Sequence, residues 1–152
     1  LFDQIVNSLL KKVKEFHYTI KGYDKAPSAV SKAKDNIRNA NLEDYVTIVE
    51  DNFFDTEKTS EGKLHMVFNP PYDERLDIHM EEFYKNIGDT LKKGYPGTNA
   101  WFITANLEAL KFVGLKPSRK IKLFNASLEA RLVKYEMYEG SKRTKFQVAE
   151  KE

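Results

Sequence analysis

The apolar run Leu64-His65-Met66-Val67-Phe68 is followed at once by Asn69-Pro70-Pro71-Tyr72. Proline brings no N–H to a strand ladder and holds φ near about −65°, so an extended segment must end there. The run has the length of a buried strand and is bounded by breakers. Asn69 therefore falls at a strand's carboxyl end, the edge at which open α/β sheets bind ligands. A stiff turn that offers an Asn side-chain oxygen and a Pro70 carbonyl can accept both N–H donors of an –NH2 group. Tyr72 adds a flat face for stacking a planar ring. The bland alternative is that the prolines merely end a strand and Tyr72 fills a local hole.

The rest of the chain alternates strands and helices. Phe2, Ile5, Val6, Leu9, Leu10, Val13 and Phe16 share one helical face, so a helix is expected over 1–16. A strand from Tyr18 ends at Asp24, and Pro27 opens a helix to about Ala40 with Val30, Ala33, Ile37 and Ala40 inward. Val46 to Val49 is a second strand, closing at Glu50-Asp51. After Tyr72, a helix from about Ile78 to Lys93 shows Met80, Phe83, Tyr84, Ile87 and Leu91 on its apolar face. Ala100 to Thr104 is a further strand, and Asn106 to Phe112 a short helix. Lys120–Asn125 and Ala130–Tyr138 alternate like two arms of a hairpin. The pattern predicts an α/β fold with a mostly parallel sheet and a C-terminal antiparallel hairpin.

At 152 residues and 41% hydrophobic content, the chain suits one domain with a real core. It holds no run of 18 apolar residues, so no membrane partner is expected. It has no cysteine, which excludes disulfides and thiolate metal sites and is compatible with a reducing cytoplasm, the expected location. His17, His65 and His79 fall on separate elements without ligand spacing, so no metal is expected. Residues 111–152 carry 11 Lys and Arg against 5 Asp and Glu, whereas residues 1–110 carry 14 against 18. Within the basic end, Lys116, Arg119, Lys120 and Lys122 either meet an RNA backbone or solvate an edge strand.

Asn69-Pro70-Pro71-Tyr72 resembles the motif of S-adenosylmethionine-dependent methyltransferases that modify an amino nitrogen conjugated to a π-system. These include adenine-N6, cytosine-N4 and guanine-N2 methylases and the glutamine methylases of release factors. The longer stretch Asn69 to Leu76 is similar to the large-subunit ribosomal RNA guanine-N2 methyltransferases that carry an RNA-binding THUMP domain upstream. Phe102-Ile103-Thr104, Gly114-Leu115-Lys116, Lys122 to Leu128 and Tyr135 also sit where that family has similar words. Asp73 departs from the family's usual glycine, as does Ala126 after Asn125. Asp73 sets a negative charge against close phosphate approach.

The resemblance implies a Rossmann-like class I methyltransferase fold whose first strand and Gly-rich cofactor loop are missing here. No G-x-G occurs in the chain, and it begins with Leu1 rather than Met. Residues 1–152 are therefore read as the C-terminal part of one catalytic domain. It would comprise a helix over 1–16, the remaining sheet and helices over 17–140, and a tail over 141–152. The absent strand would lie between the strand ending at Asp24 and the one ending at Phe68, leaving an incomplete sheet.

The same resemblance assigns S-adenosylmethionine as cofactor, with S-adenosylhomocysteine as product. Asp24 would take both ribose hydroxyls; its bland role is a turn or cap residue. Asp51 would accept the adenine amino group, with Asn52 and Phe53 beside the ring; otherwise these are loop residues and Phe53-Phe54 is core. Asn69, Pro70 and Tyr72 would be catalytic, and Pro71, Tyr72 and Arg75 would meet the substrate. Arg75 can instead pair with Glu74 and brace the loop. The expected reaction is methyl transfer to the N2 amino group of a guanine in 23S ribosomal RNA, with that RNA and an upstream RNA-binding domain of the same protein as partners. DNA adenine-N6 or protein glutamine methylation is one alternative, and an inactive methylase-like RNA-binding module another.

Overall fold

A computed structural model of the chain describes residues 1–71, 80–125 and 127–139. It divides into two compact units, Leu1–Phe53 and Phe54–Glu152.

In the first unit, helix α1 (Phe2–Leu10) is followed by strand β1 (Ile20–Asp24), helix α2 (Pro27–Asn39) and strand β2 (Val46–Glu50). The strands are parallel, with Ile20 opposite Val46 and Asp24 opposite Glu50. Pro27 opens α2 as expected, and Val30 is buried while Ala33 and Ile37 are half-buried. Ala40 is not inward: it is the exposed C-cap. Asn41, at φ 54°, then turns the chain toward β2 in the left-handed conformation Asn tolerates.

The first helix is shorter than its apolar spacing suggests. It stops at Leu10, and Lys12 and Val13 bond back only three residues, to the carbonyls of Leu9 and Leu10. None of the helix's residues is buried, so no packing sustains it further, and it closes in a tight turn. Val13 lies beyond the helix and is exposed. Phe16 instead meets Tyr18 and Tyr45 edge-on, at ring separations of 5.6 and 6.0 Å.

The second unit holds β3 (Leu64–Phe68), α3 (Met80–Gly94), β4 (Thr98–Thr104), a 3-10 helix (Ala109–Val113), β5 (Arg119–Asn125) and β6 (Leu128–Glu136). Its sheet runs β3-β4-β6-β5; β3 and β4 are parallel, and β6 is antiparallel to both of its neighbours. The C-terminal hairpin is thus present. The segment expected as a helix from Asn106 is narrower, a 3-10 turn ended by Gly114 at φ 65°. Residues before Met80, where the preceding helix was expected to begin, lie outside the described residues.

Helix α3 forms for reasons visible in its sequence. Tyr84, Ile87 and Leu91 recur at helical spacing and are buried, with Phe83 beside them. Glu81 and Glu82 occupy the first turn and Lys92 and Lys93 the last, each complementing the helix dipole. The packed face meets Phe102 of β4, whose ring lies 5.0 Å from Phe68, 6.2 Å from Tyr84 and 5.6 Å from Tyr135. Phe102 and Tyr135 stack at an interplanar angle of 15°. Fully burying a ring of this size contributes about 1.5–3 kcal/mol. Gly88 lets α3 approach the 3-10 helix: a Cβ there would fall 1.8 Å from the Val113 carbonyl oxygen.

Candidate functional site

Strand β3 delivers Asn69 to the carboxyl edge of its sheet, one residue past Phe68. The strand is half-buried rather than buried through: Leu64, Met66 and Phe68 face inward while His65 and Val67 are exposed. Pro70 is buried and Pro71 half-buried, so the bend is anchored by its prolines. Asn69 is exposed. Neither its side chain nor the Pro70 carbonyl has a hydrogen-bond partner among the described residues. An anchored backbone thus holds an exposed Asn69 side chain next to the Pro70 carbonyl, two acceptors of the kind an amino group needs. Tyr72, Glu74 and Arg75 lie outside the described residues.

The partner of the strand that supports this bend is held at its carboxyl end, the same edge as Asn69, by a buried hydroxyl pair. Tyr84 and Thr104 share a 2.5 Å hydrogen bond, and Thr104 Oγ1 also accepts the Asn106 N–H at 3.0 Å. Asn106 Oδ1 in turn accepts the Ala109 N–H at 3.0 Å. The loop leaving β4 is therefore fixed by a continuous chain of bonds that no single residue in the sequence advertises.

In the first unit, the carboxyl edge of the β1–β2 pair is acidic. The Asp51 N–H donates to the Asp24 carbonyl at 3.0 Å, extending the ladder beyond the Asp24–Glu50 register. Asp24 and Asp51 are thereby brought together, with Glu50 beside them. Asp24 Oδ1 accepts the Ala26 N–H at 2.8 Å, which is the turn role weighed for it in the sequence. Asp51 Oδ1 likewise accepts the Asn52 N–H at 2.8 Å. Both side chains are exposed, and each carboxylate keeps a second oxygen for other donors. Asn52 is exposed and Phe53 half-buried. Phe54, half-buried like Phe53, packs edge-on against Phe83 at 5.3 Å.

The basic hairpin is more ordered than its charge count suggests. Glu129 receives Lys122 at 2.5 Å and Arg131 at 2.6 Å. These two cations hold its carboxyl below the usual carboxylate range. Lys122 also lies 5.1 Å from the Phe124 ring centroid. By contrast, Lys116, Arg119 and Lys120 have no ion-pair partner among the described residues. Beside them lies a cavity of about 400 Å³, lined by Leu107, Leu110, Leu115 and Pro117 with Lys111, Lys120, Arg131 and Tyr135. The Tyr135 hydroxyl is fully buried and has no hydrogen-bond partner among the described residues. Leaving such a group unpaired costs about 1–3 kcal/mol. Burial, with Tyr84 nearby, pushes its pKa up to about 12. In the sequence Tyr135 stands only within an alternating strand and among the positions shared with the resembled family, so this cavity was not legible there. Among the described residues no group of three or more His, Cys, Asp or Glu is placed to hold a metal ion. None of the described helices is long and apolar enough to cross a membrane.

With that geometry in view, the likenesses to known proteins gain meaning. The family described as UPF0020, RMKL-like, methyltransferase domain matches residues 3–134. A ribosomal RNA large subunit methyltransferase K/L of Syntrophotalea carbinolica is 31% identical over 124 residues, covering 78% of this chain and 17% of its own length. The chain spans less than a third of the curated relatives it matches. Among solved structures, the methyltransferase SMU.472 complexed with SAH gives a TM-score of 0.81 at 23% identity, over 91% of this chain and 37% of that one. A Listeria monocytogenes protein described as an N6-adenine-specific DNA methylase gives 0.66 at 26% identity, over 78% and 30%. These structures share the α/β methyltransferase fold.

Proposed function

The chain belongs to the UPF0020 family of RMKL-like methyltransferase domains, and on that premise we propose that it serves transfer of a methyl group from S-adenosylmethionine to the N2 amino group of a guanine in large-subunit ribosomal RNA. The observation that carries the reading is the bend after β3: an exposed Asn69 with open acceptors, on a buried Pro70. Asn69 Oδ1 and the Pro70 carbonyl accept the two N–H groups of the target amine. That draws density onto a nitrogen whose lone pair is otherwise delocalised into the ring, and it aims that lone pair. Positioning of this kind supplies several kcal/mol of barrier reduction. Pro71, Tyr72 and Arg75 take the base and its surroundings, Tyr72 by stacking, on the order of 1–3 kcal/mol.

The donor set at the acidic edge suits the cofactor. Asp24 has a carboxylate oxygen open for ribose hydroxyls beyond the one held by Ala26, and Asp51 an oxygen open for the adenine amino group. Asn52 and Phe53 flank that ring. S-adenosylmethionine supplies an electrophilic methyl carbon, so the protein's task is orientation and exclusion of competing nucleophiles. Ribosomal RNA and an RNA-binding domain of the same protein are the proposed partners.

Transfer of a tritiated methyl group to ribosomal RNA purified from cells lacking the enzyme tests this reading. Label in RNA, recovered as N2-methylguanosine, is expected. The Listeria likeness favours DNA adenine as the second substrate class, and label only in DNA would move the assignment there.

A further inference from the structure

The cavity beside the hairpin carries features that the methyl-transfer reading does not use. Its walls are Leu107, Leu110, Leu115 and Pro117, and Lys120 and Arg131 stand with them. Lys120 pairs with Val133 in the β5–β6 register, and Val133, Arg131 and Tyr135 alternate onto one face of β6. One face of the hairpin therefore presents both cations and the tyrosine to the same space. Arg131 is fixed by Glu129 at 2.6 Å and its side chain is 24% exposed, whereas Lys120 is exposed and has no ion-pair partner among the described residues. Tyr135 lines the same cavity, while its hydroxyl is shut from water.

We propose that this cavity receives one unstacked nucleotide of the RNA substrate, distinct from the nucleotide that is methylated. The base would lie against Leu107, Leu110, Leu115 and Pro117, with its phosphate on Lys120 and Arg131. The combination selects the ligand. A simple anion has no use for four apolar walls, and an apolar body leaves Lys120 without a role. A flat ring joined to a phosphate uses both. The volume falls within the roughly 300–1,000 Å³ of small-ligand sites. Strand β6 lies two places from β3 in the sheet, about 10 Å across, so the cavity and the Asn69 bend can hold different nucleotides of one strand. The proposal rests on the RNA reading above.

Fluorescence anisotropy with the full chain tests it, using a labelled single-stranded RNA and a fully paired hairpin of equal charge. Leu110→Trp, which fills the cavity, is expected to weaken single-strand binding about tenfold and leave hairpin binding unchanged. Leu107→Trp, at the more exposed rim, provides the same test should Leu110→Trp fail to fold. Lys120→Ala is expected to weaken binding of both RNAs and lower the salt slope by about one. If both tryptophan variants bind single-stranded RNA as the wild type does, the cavity proposal is overturned while the RNA reading stands. Equal loss for both RNAs in the tryptophan variants also overturns it. A wild type that binds neither RNA overturns the RNA reading and the cavity with it.

Discussion

The two units of this chain use the same local plan, a parallel strand pair with a neighbouring helix, and reach very different degrees of burial. Of the buried apolar side chains, only Val30 belongs to Leu1–Phe53; the rest, from Tyr84 to Tyr135, belong to the second unit. Ile20, Tyr23 and Val49 of the first pair remain 51%, 48% and 44% exposed. In the second unit, β4 is flanked by strands on both sides and stacked through Phe102 onto three other rings. Hydrogen-bond pairing is thus equal in kind, but stabilisation follows the apolar area removed from water. The acceptors at Asn69 rest on the firm unit, and the acidic edge on the loose one.

The largest effect should separate those two roles. Asn69→Ala is expected to lower methyl transfer on the order of 100-fold or more while leaving cofactor affinity intact, as read by turnover and isothermal titration. Asp24→Ala should do the converse and weaken cofactor binding first. Near-normal turnover of Asn69→Ala would remove Asn69 as the amine acceptor.

Next comes stability. Phe102→Ala should cost about 3–5 kcal/mol in urea unfolding, whereas Val30→Ala should cost only about 1.5 kcal/mol. Equal losses would break the contrast between a stacked core and a shallow one. Gly88→Ala sharpens it within the firm unit, because the added methyl cannot fit against the Val113 carbonyl. A loss of about 1–3 kcal/mol is expected by thermal denaturation, with the 3-10 helix displaced.

The smallest effect is one of pH. Tyr135 keeps its proton in the folded chain up to about 12, against 10.0 ordinarily. Its contribution is fully present below 10 and is lost as pH rises toward 12, since the unfolded chain releases the proton first. Tyr135→Phe should flatten stability across that window, and because the hydroxyl has no partner it should cost little at pH 7. A steep alkaline fall that persists in the variant would assign the transition to other groups.

Much of this was legible in the sequence, for identifiable reasons. The Pro70-Pro71 stop fixed the end of β3, and the strand-end placement of Asp24 and Asp51 was legible because each strand run breaks sharply there. Helix α3 was legible from its spacing of Tyr84, Ile87 and Leu91. The first helix was overdrawn because apolar spacing runs on to Val13 and Phe16, while none of the helix's residues is buried to sustain it. The dual nature of Asp24, turn former and open carboxylate together, depends on where the Ala26 N–H points. Tyr84–Thr104, Phe102–Tyr135 and the orphaned hydroxyl depend on contacts between residues far apart in the chain. No local pattern encodes these.

The free side of β3 has a practical consequence. Among the described residues no strand pairs with β3 on the side away from β4, and Val67, on the exposed face of β3, is 77% exposed. Such a border is a template for any extended segment that arrives, another copy of itself included. Handling should therefore become concentration-sensitive, with turbidity rising at high protein and falling when Val67 is replaced by lysine. A residue chosen for solubility would then report directly on how the sheet's open margin behaves in solution.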